Sequence, residues 1–409
     1  MGFEIRPIHE DELPTFVRTD SAAFGGVPSD EDIELMRHGF EFDRSLAAFD
    51  GSCMVGTAGA YSFDLTLPGL TSIPVAGVSW VGVLPTHRRR GILTDLMRRQ
   101  LTDVRERGEP AAILLCSESL IYGRFGYGIA TTQTQLEIDK RYGTFARPIE
   151  TPGQLSMIDR DAARAVLPEV YDRVRLRQPG AVSRRPIWWD GYLRDPESHR
   201  RGMSPRFYVT YAAPSGQVDG YVGYRVQSKW EEGNPGGTLM VSELMATTLA
   251  ALAVLWRYCL NVDLITTVRA PDRPVDDPLR WMLAEPRRLR FTSYGDHLWL
   301  RILDLPVALS TRRYAASDRL VLEIGDTFCP ENAGRYSLVG GPDGAECHST
   351  SAEPDLSLDI TDLSACYLGG VRFSTLAAAG RIGEHTAGSL RRADALFASE
   401  PLPWCATSF

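Results

Sequence analysis

Arg88, Arg89 and Arg90, followed at once by Gly91, are the residues of this chain best placed to do chemistry. Before them runs a β-type apolar stretch, Val75 to Val83, broken at Pro85. After them Ile92, Leu93, Leu96, Met97, Leu101 and Val104 recur at helical spacing. A strand that turns through a basic loop into a helix aims unpaired backbone N–H groups and the positive end of the helix dipole at one point. That is the recognition a pyrophosphate needs. Three arginines at a turn also make an ordinary solvated surface, so the flanking elements decide. The spacing predicts a helix from Gly91 to about Gly108. The next run, Ala111 to Ser117, reads as a buried strand parallel to the first.

These elements need a scaffold. At 409 residues the chain exceeds one typical domain. Patterning predicts α/β and α+β units with boundaries at 1–148, 149–299 and 300–409. In the second, Ala162 to Val174 and Thr248 to Leu260 are helical, and Leu239 to Leu244 is a strand. This order echoes the first unit without a counterpart of Arg88 to Gly91, so no pyrophosphate site is expected there. In the third, Tyr314 to Leu358 alternates like strands, and three helical patterns follow.

Composition narrows the partners. A hydrophobic content of 44% with 23% charged residues is that of an ordinary globular protein. A net charge of -8 argues against nucleic acid and favours cationic partners such as polyamines, lysines or amino-sugars. No apolar run reaches the length of a membrane span, which is about 18 residues or more. The start of the chain lacks a signal-peptide core, and the seven cysteines are scattered rather than in CxxC pairs, which suggests reduced thiols in the cytoplasm. Cys347-His348 lacks further ligands at metal-site spacing, so no metal is expected.

The pattern Arg88-x-x-Gly91-x-Leu93 resembles the acyl-CoA loop of GCN5-related N-acetyltransferases. Longer motifs sharpen this. Gly77-Val-Ser-Trp-Val-Gly-Val, Pro85-Thr-His-Arg-Arg-Arg-Gly91, Ser117-Glu118, Ile121-Tyr-Gly-Arg-Phe-Gly-Tyr-Gly128, Val241-Ser-Glu-Leu244, Leu298-Trp-Leu-Arg-Ile302 and Tyr367-Leu-Gly-Gly resemble the Eis (enhanced intracellular survival) acetyltransferases of actinomycetes. The resemblance runs from near the start to the last residue. It implies two tandem GCN5-related domains followed by a sterol-carrier-protein-like domain, assembled as a homohexamer. It also implies acetyl-CoA as co-substrate, no metal, and transfer to a primary amine of an aminoglycoside-like molecule, a polyamine or a protein lysine.

Carried over residue by residue, the resemblance puts Val81, Val83, Arg89, Arg90, Gly91, Ile92, Leu93 and Thr94 on acetyl-CoA, with Ser117 and Glu118 at further CoA positions. From its position alone Tyr122 is a half-buried tyrosine bordering a turn; the resemblance makes it the general acid. A phenol of pKa ~10 stays protonated at neutral pH and can supply a thiolate whose ordinary pKa is ~8.5. The carboxylate of the C-terminal Phe409 becomes the general base. A free α-carboxyl has a pKa of ~3.3–3.7, so burial must make it more basic. Trp80, expected by alternation on the same face as Val78 and Gly82, forms with Phe24 and Met36 the expected substrate pocket, a core tryptophan being the alternative. Two departures leave the acceptor open: Ser408 where relatives carry an acid, and Gly25-Gly26 where an acidic pocket residue is usual. The competing function is a non-catalytic protein that binds CoA or an apolar ligand.

Overall fold

Two long strands joined by a tight turn at residues 68–70 form the spine of the first sheet. In the computed structural model, which describes residues 2–409, this sheet contains β1 (Glu4–Pro7), β2 (Leu46–Asp50), β3 (Cys53–Leu67), β4 (Thr71–Val83), β5 (Ala111–Leu115) and β6 (Gly128–Ile129). Its order is β1-β2-β3-β4-β5, then Leu298–Ile302, then β6. Helices α1 (Leu13–Ala23) and α2 (Asp30–Arg37) follow β1. Helix α3 (Ile92–Glu106) joins β4 to β5, and α4 (Ser119–Tyr122) follows β5. As expected, β4 and β5 are parallel. Helix α3 buries Ile92, Leu96, Met97, Leu101 and Val104, the stripe its sequence predicted, and adds Gln100, whose amide donates to the Gly59 carbonyl at 2.8 Å. Leu93, on the edge of that stripe, is only partly buried.

The sheets cross the expected boundary at 148/149. Thr132–Asp139, read as the end of the first unit, pairs with Ile265–Arg273 and Arg290–Asp296 in a second seven-stranded sheet. Leu298–Ile302, which straddles the expected 299/300 boundary, inserts between β5 and β6 of the first sheet. The chain accordingly forms two compact units, one of residues 132–296 and one holding the rest.

Within the larger unit, residues 305–409 carry a five-stranded sheet in the order Gly344–Ser349, Gly334–Gly341, Asp318–Gly325, Leu356–Asp359, Ile382–Glu384. It docks on the first sheet through a fully buried ion pair, Arg301 to Asp326 at 2.6 Å, and through Phe125 stacked edge-on to Phe328. No helix among the described residues is long and apolar enough to cross a membrane.

Candidate active site

Strands β4 and β5 stay paired from Val75/Ala111 to Val78/Leu114 and then part. The cause lies in β4. Trp80 adopts a left-handed backbone (φ 57°), and the register against β3 slips between Ser79 and Gly82. Pairing with β3 resumes at Thr57/Gly82 and Gly56/Val83, and the Leu84 N–H donates to Val55 O. By strand alternation, the N–H and C=O of Val83 therefore point away from β3, toward the gap.

The gap is a cleft of about 400 Å³. One end is the basic turn. Gly91 caps α3 in the left-handed conformation (φ 88°) with no capping side chain, so Ile92, Leu93 and Thr94 present N–H groups that lack an i−4 carbonyl. All three line the cleft, beside His87, Arg88 and Arg89. Arg88 bridges the end of β4 and the end of α1, donating to the Val83 carbonyl at 3.3 Å and the Ala23 carbonyl at 2.7 Å. The other end holds Ser117, Glu118, Ile121, Tyr122 and Arg124. Tyr122 is 6% exposed. Burial, and then the charges of Cys116, Asp20 and Glu118, push its phenol well above the ordinary tyrosine value. The group is therefore protonated at every pH an enzyme meets, as a proton donor must be.

Most of the expected site residues meet here: Val81, Val83, Arg89, Gly91, Ile92, Leu93, Thr94, Ser117, Glu118, Tyr122 and Phe24 all line the cleft. Four do not. Arg90 turns outward, 3.6 Å from Asp50 and over the Phe3 ring at 4.7 Å, while Arg88 takes the cleft position. Trp80 is on the opposite face from Val78, because the bulge breaks the alternation. It packs with Phe16 and Phe40 and donates to the Tyr61 hydroxyl at 2.7 Å. Met36 joins that same apolar cluster. Phe409 lies outside the cleft lining, with its ring 5.0 Å from that of Phe63 and against Gly77, beside the point where β4 and β5 part.

Beside the cleft stands a carboxylate that none of the motifs includes, although its spacing from Phe16 and Val17 puts it on the apolar stripe of α1. Asp20, on α1, is 8% exposed, and burial pushes its carboxyl up to about 6 although Thr57 donates to it at 3.3 Å, which opposes the rise.

The second unit contains a parallel pair of the same kind, Gly237–Met240 beside Ile265–Arg269. There the edge beyond the pairing is occupied from within. Arg273 donates to the Leu244 carbonyl at 2.8 Å and is held by buried Asp277 at 2.7 Å.

Comparison with known proteins agrees with this layout. The family model of an acetyltransferase (GNAT) domain matches residues 4–130, a second acetyltransferase (GNAT) domain model matches 180–302, and a sterol carrier protein domain matches 305–406. The chain is 41% identical over 414 residues to an uncharacterized N-acetyltransferase of Streptomyces avermitilis, covering 100% of both. It is 34% identical to the N-acetyltransferase Eis of Mycobacterium tuberculosis, covering 96% of each. The crystal structure of Eis1 from Mycobacterium abscessus superposes with a TM-score of 0.88 at 35% identity, over 99% of this chain and 100% of that one.

Proposed function

This chain belongs to the Eis-type GCN5-related N-acetyltransferases, and from that premise we propose that it moves the acetyl group of acetyl-CoA directly to a primary amine. The observation that carries this is the continuity of the cleft. A single opening joins the unpaired N–H groups of α3 and the guanidinium groups of Arg88 and Arg89 to the gap walled by Val81, Val83 and Tyr122. The first end suits a pyrophosphate. The second suits an acyl thioester, with the Val83 N–H aimed at the developing oxyanion. Tyr122 protonates the departing sulfur, and the Phe409 carboxylate takes a proton from nitrogen as the C–N bond forms. In support of that last role, the tail is anchored by buried Trp404, Cys405 and Thr407. Titrating CoA by calorimetry, beside a thiol-release assay over alkylamines, polyamines, aminoglycosides and lysine peptides, tests the whole assignment. Tight CoA binding with no amine-dependent thiol release would favour the binding-protein alternative.

Arg89→Ala is expected to weaken acetyl-CoA binding by roughly 1.5–3 kcal/mol, the usual scale for a hydrogen bond to a charged group. Arg90→Ala is the comparison. Its guanidinium is committed to Asp50 and Phe3, so a smaller loss is expected. Equal and unchanged affinities in both variants would take the turn out of the CoA site.

From the family resemblance we also propose a homohexameric state. In the smaller unit, the edge strand Arg290–Asp296 leaves Phe291 and Tyr294 exposed, and Trp281 is 76% exposed, a surface that suits burial by another copy. Six chains of 45.3 kDa give about 272 kDa, and light scattering at micromolar protein is expected to read that mass rather than one chain's.

A further inference from the structure

Acetyl transfer to an ammonium group must place two protons from nitrogen. The first leaves before nitrogen can attack, the second as the C–N bond forms, and sulfur takes back only one. With Tyr122 serving sulfur and Phe409 accepting the second, the first proton still needs an acceptor.

Asp20 lies against the wall of the cleft. It precedes Ala23 and Phe24 by three and four residues, so the three share one face of α1, and Ala23 and Phe24 line the cleft. A Cβ on Gly82 would lie 3.0 Å from Asp20 Oδ1 and 3.0 Å from the Ala23 side chain. Asp20 is not itself part of the cleft lining; its carboxylate packs directly against Gly82, which is, and glycine there leaves no side chain between the carboxylate and that wall. Thr57 Oγ1 donates to Oδ1 and fixes its direction. The Asp20 charge is among the lesser causes that raise the Tyr122 phenol, after burial and Cys116.

We propose that Asp20 accepts the first proton from the acceptor's ammonium group, so that the cleft uses the abundant cationic form of an alkylamine rather than its scarce free base. This rests on the acetyltransferase assignment. The N–H bond breaks, its electron pair stays on nitrogen, and an O–H bond forms on Asp20. The neutral amine then attacks the thioester carbonyl, the second proton passes to Phe409, the C–S bond breaks, and Tyr122 protonates sulfur. One carboxyl proton restores Tyr122 and the other leaves to water. A carboxyl held up at about 6 is ionised at neutral pH yet more basic than an ordinary one, which suits the task. Thr57 and Gly82 meet it from the strands packed on α1. The charged and titratable groups around the cleft are His87, Arg88, Arg89, Glu118, Tyr122 and Arg124, with Cys116 beside Tyr122.

The test is Asp20→Asn, which keeps the shape, assayed by thiol release with an alkylamine and with an arylamine that is already neutral at neutral pH. With the alkylamine, kcat/KM is expected to fall about 100-fold or more. The wild-type profile should rise through a pH of about 6 and level off. The variant's should lack that limb and climb with the free-base fraction of the amine. With the arylamine the variant should stay close to wild type, at unchanged CoA affinity. Thr57→Val removes the bond that lowers the carboxyl's pKa, so it should move the wild-type limb to higher pH. Unchanged alkylamine activity in Asp20→Asn overturns the proposal, as does an equal loss with both acceptors, which would make Asp20 a support for the Gly82 strand. A wild-type enzyme that releases no thiol with any amine overturns the acetyltransferase assignment, and Asp20's role falls with it.

Discussion

Tyr122→Phe is expected to bind CoA as the wild type does and to turn over about 100- to 10,000-fold more slowly, the usual cost of losing a general acid. The ring remains, so its packing against Tyr127 at 5.9 Å and its place at the end of α4 are kept. What is lost is one O–H. In the proposed mechanism that O–H is the proton source for a thiolate leaving beside Val81 and Val83, with which Tyr122 lines the cleft. Because burial holds the phenol above its ordinary pKa, the wild-type acid stays protonated below pH ~10. The variant should therefore show the same pH profile as the wild type at a lower level. Thiol release gives the rate and calorimetry gives the affinity. A wild-type rate would leave the sulfur to be protonated by solvent and remove Tyr122 from the mechanism.

The parts of this site that lie along one stretch of chain were legible in the sequence. The run from Val75 through the three arginines to Ser117 states its own strand, turn, helix and strand, because period, glycine and charge all act locally. What was not legible depends on backbone exceptions and on distant neighbours. Alternation placed Trp80 with Val78, and the positive φ at Trp80 that separates them is carried by a residue that rarely adopts it. Three consecutive arginines are equivalent in sequence. Arg89 also takes a left-handed backbone (φ 62°), and beyond it Arg90 points to Asp50 while Arg88 and Arg89 face the cleft. Asp20 falls at helical spacing from Phe16 and Val17, on the apolar stripe of α1, and what brings it to the cleft wall is Gly82, sixty-two residues later. The exchange of Thr132–Asp139 and Leu298–Ile302 between sheets has no periodic signature at all, since either strand would be equally apolar in either sheet.

The largest loss should come from one glycine added after Phe409. Every side chain is kept, and the charge moves by one residue, ~3.5 Å. A base must sit within about 2.6–3.2 Å of its proton or reach it through one water, so the displaced carboxylate should cost most of the activity. The structure makes this a test of the terminus rather than of the fold. Trp404, Cys405 and Thr407 hold the tail by burial, and the Phe409 ring rests on Phe63, all upstream of the added residue. CoA affinity should be unchanged, because the basic turn and the N-terminus of α3, to which we assign it, are untouched. A C-terminal affinity tag should inactivate in the same way and an N-terminal one should not. Deleting Phe409 should also be damaging, since the new carboxylate would stand on exposed Ser408 without the ring that docks the chain end. The two carboxylates are separable in this experiment. With the glycine added, Asp20 can still take the first proton, so the extended enzyme should stay slow even with an arylamine, whereas Asp20→Asn should not. An extended enzyme that acetylates amines at the wild-type rate would show that the second proton leaves by another route, and that the docked phenylalanine only closes the sheet beside the cleft.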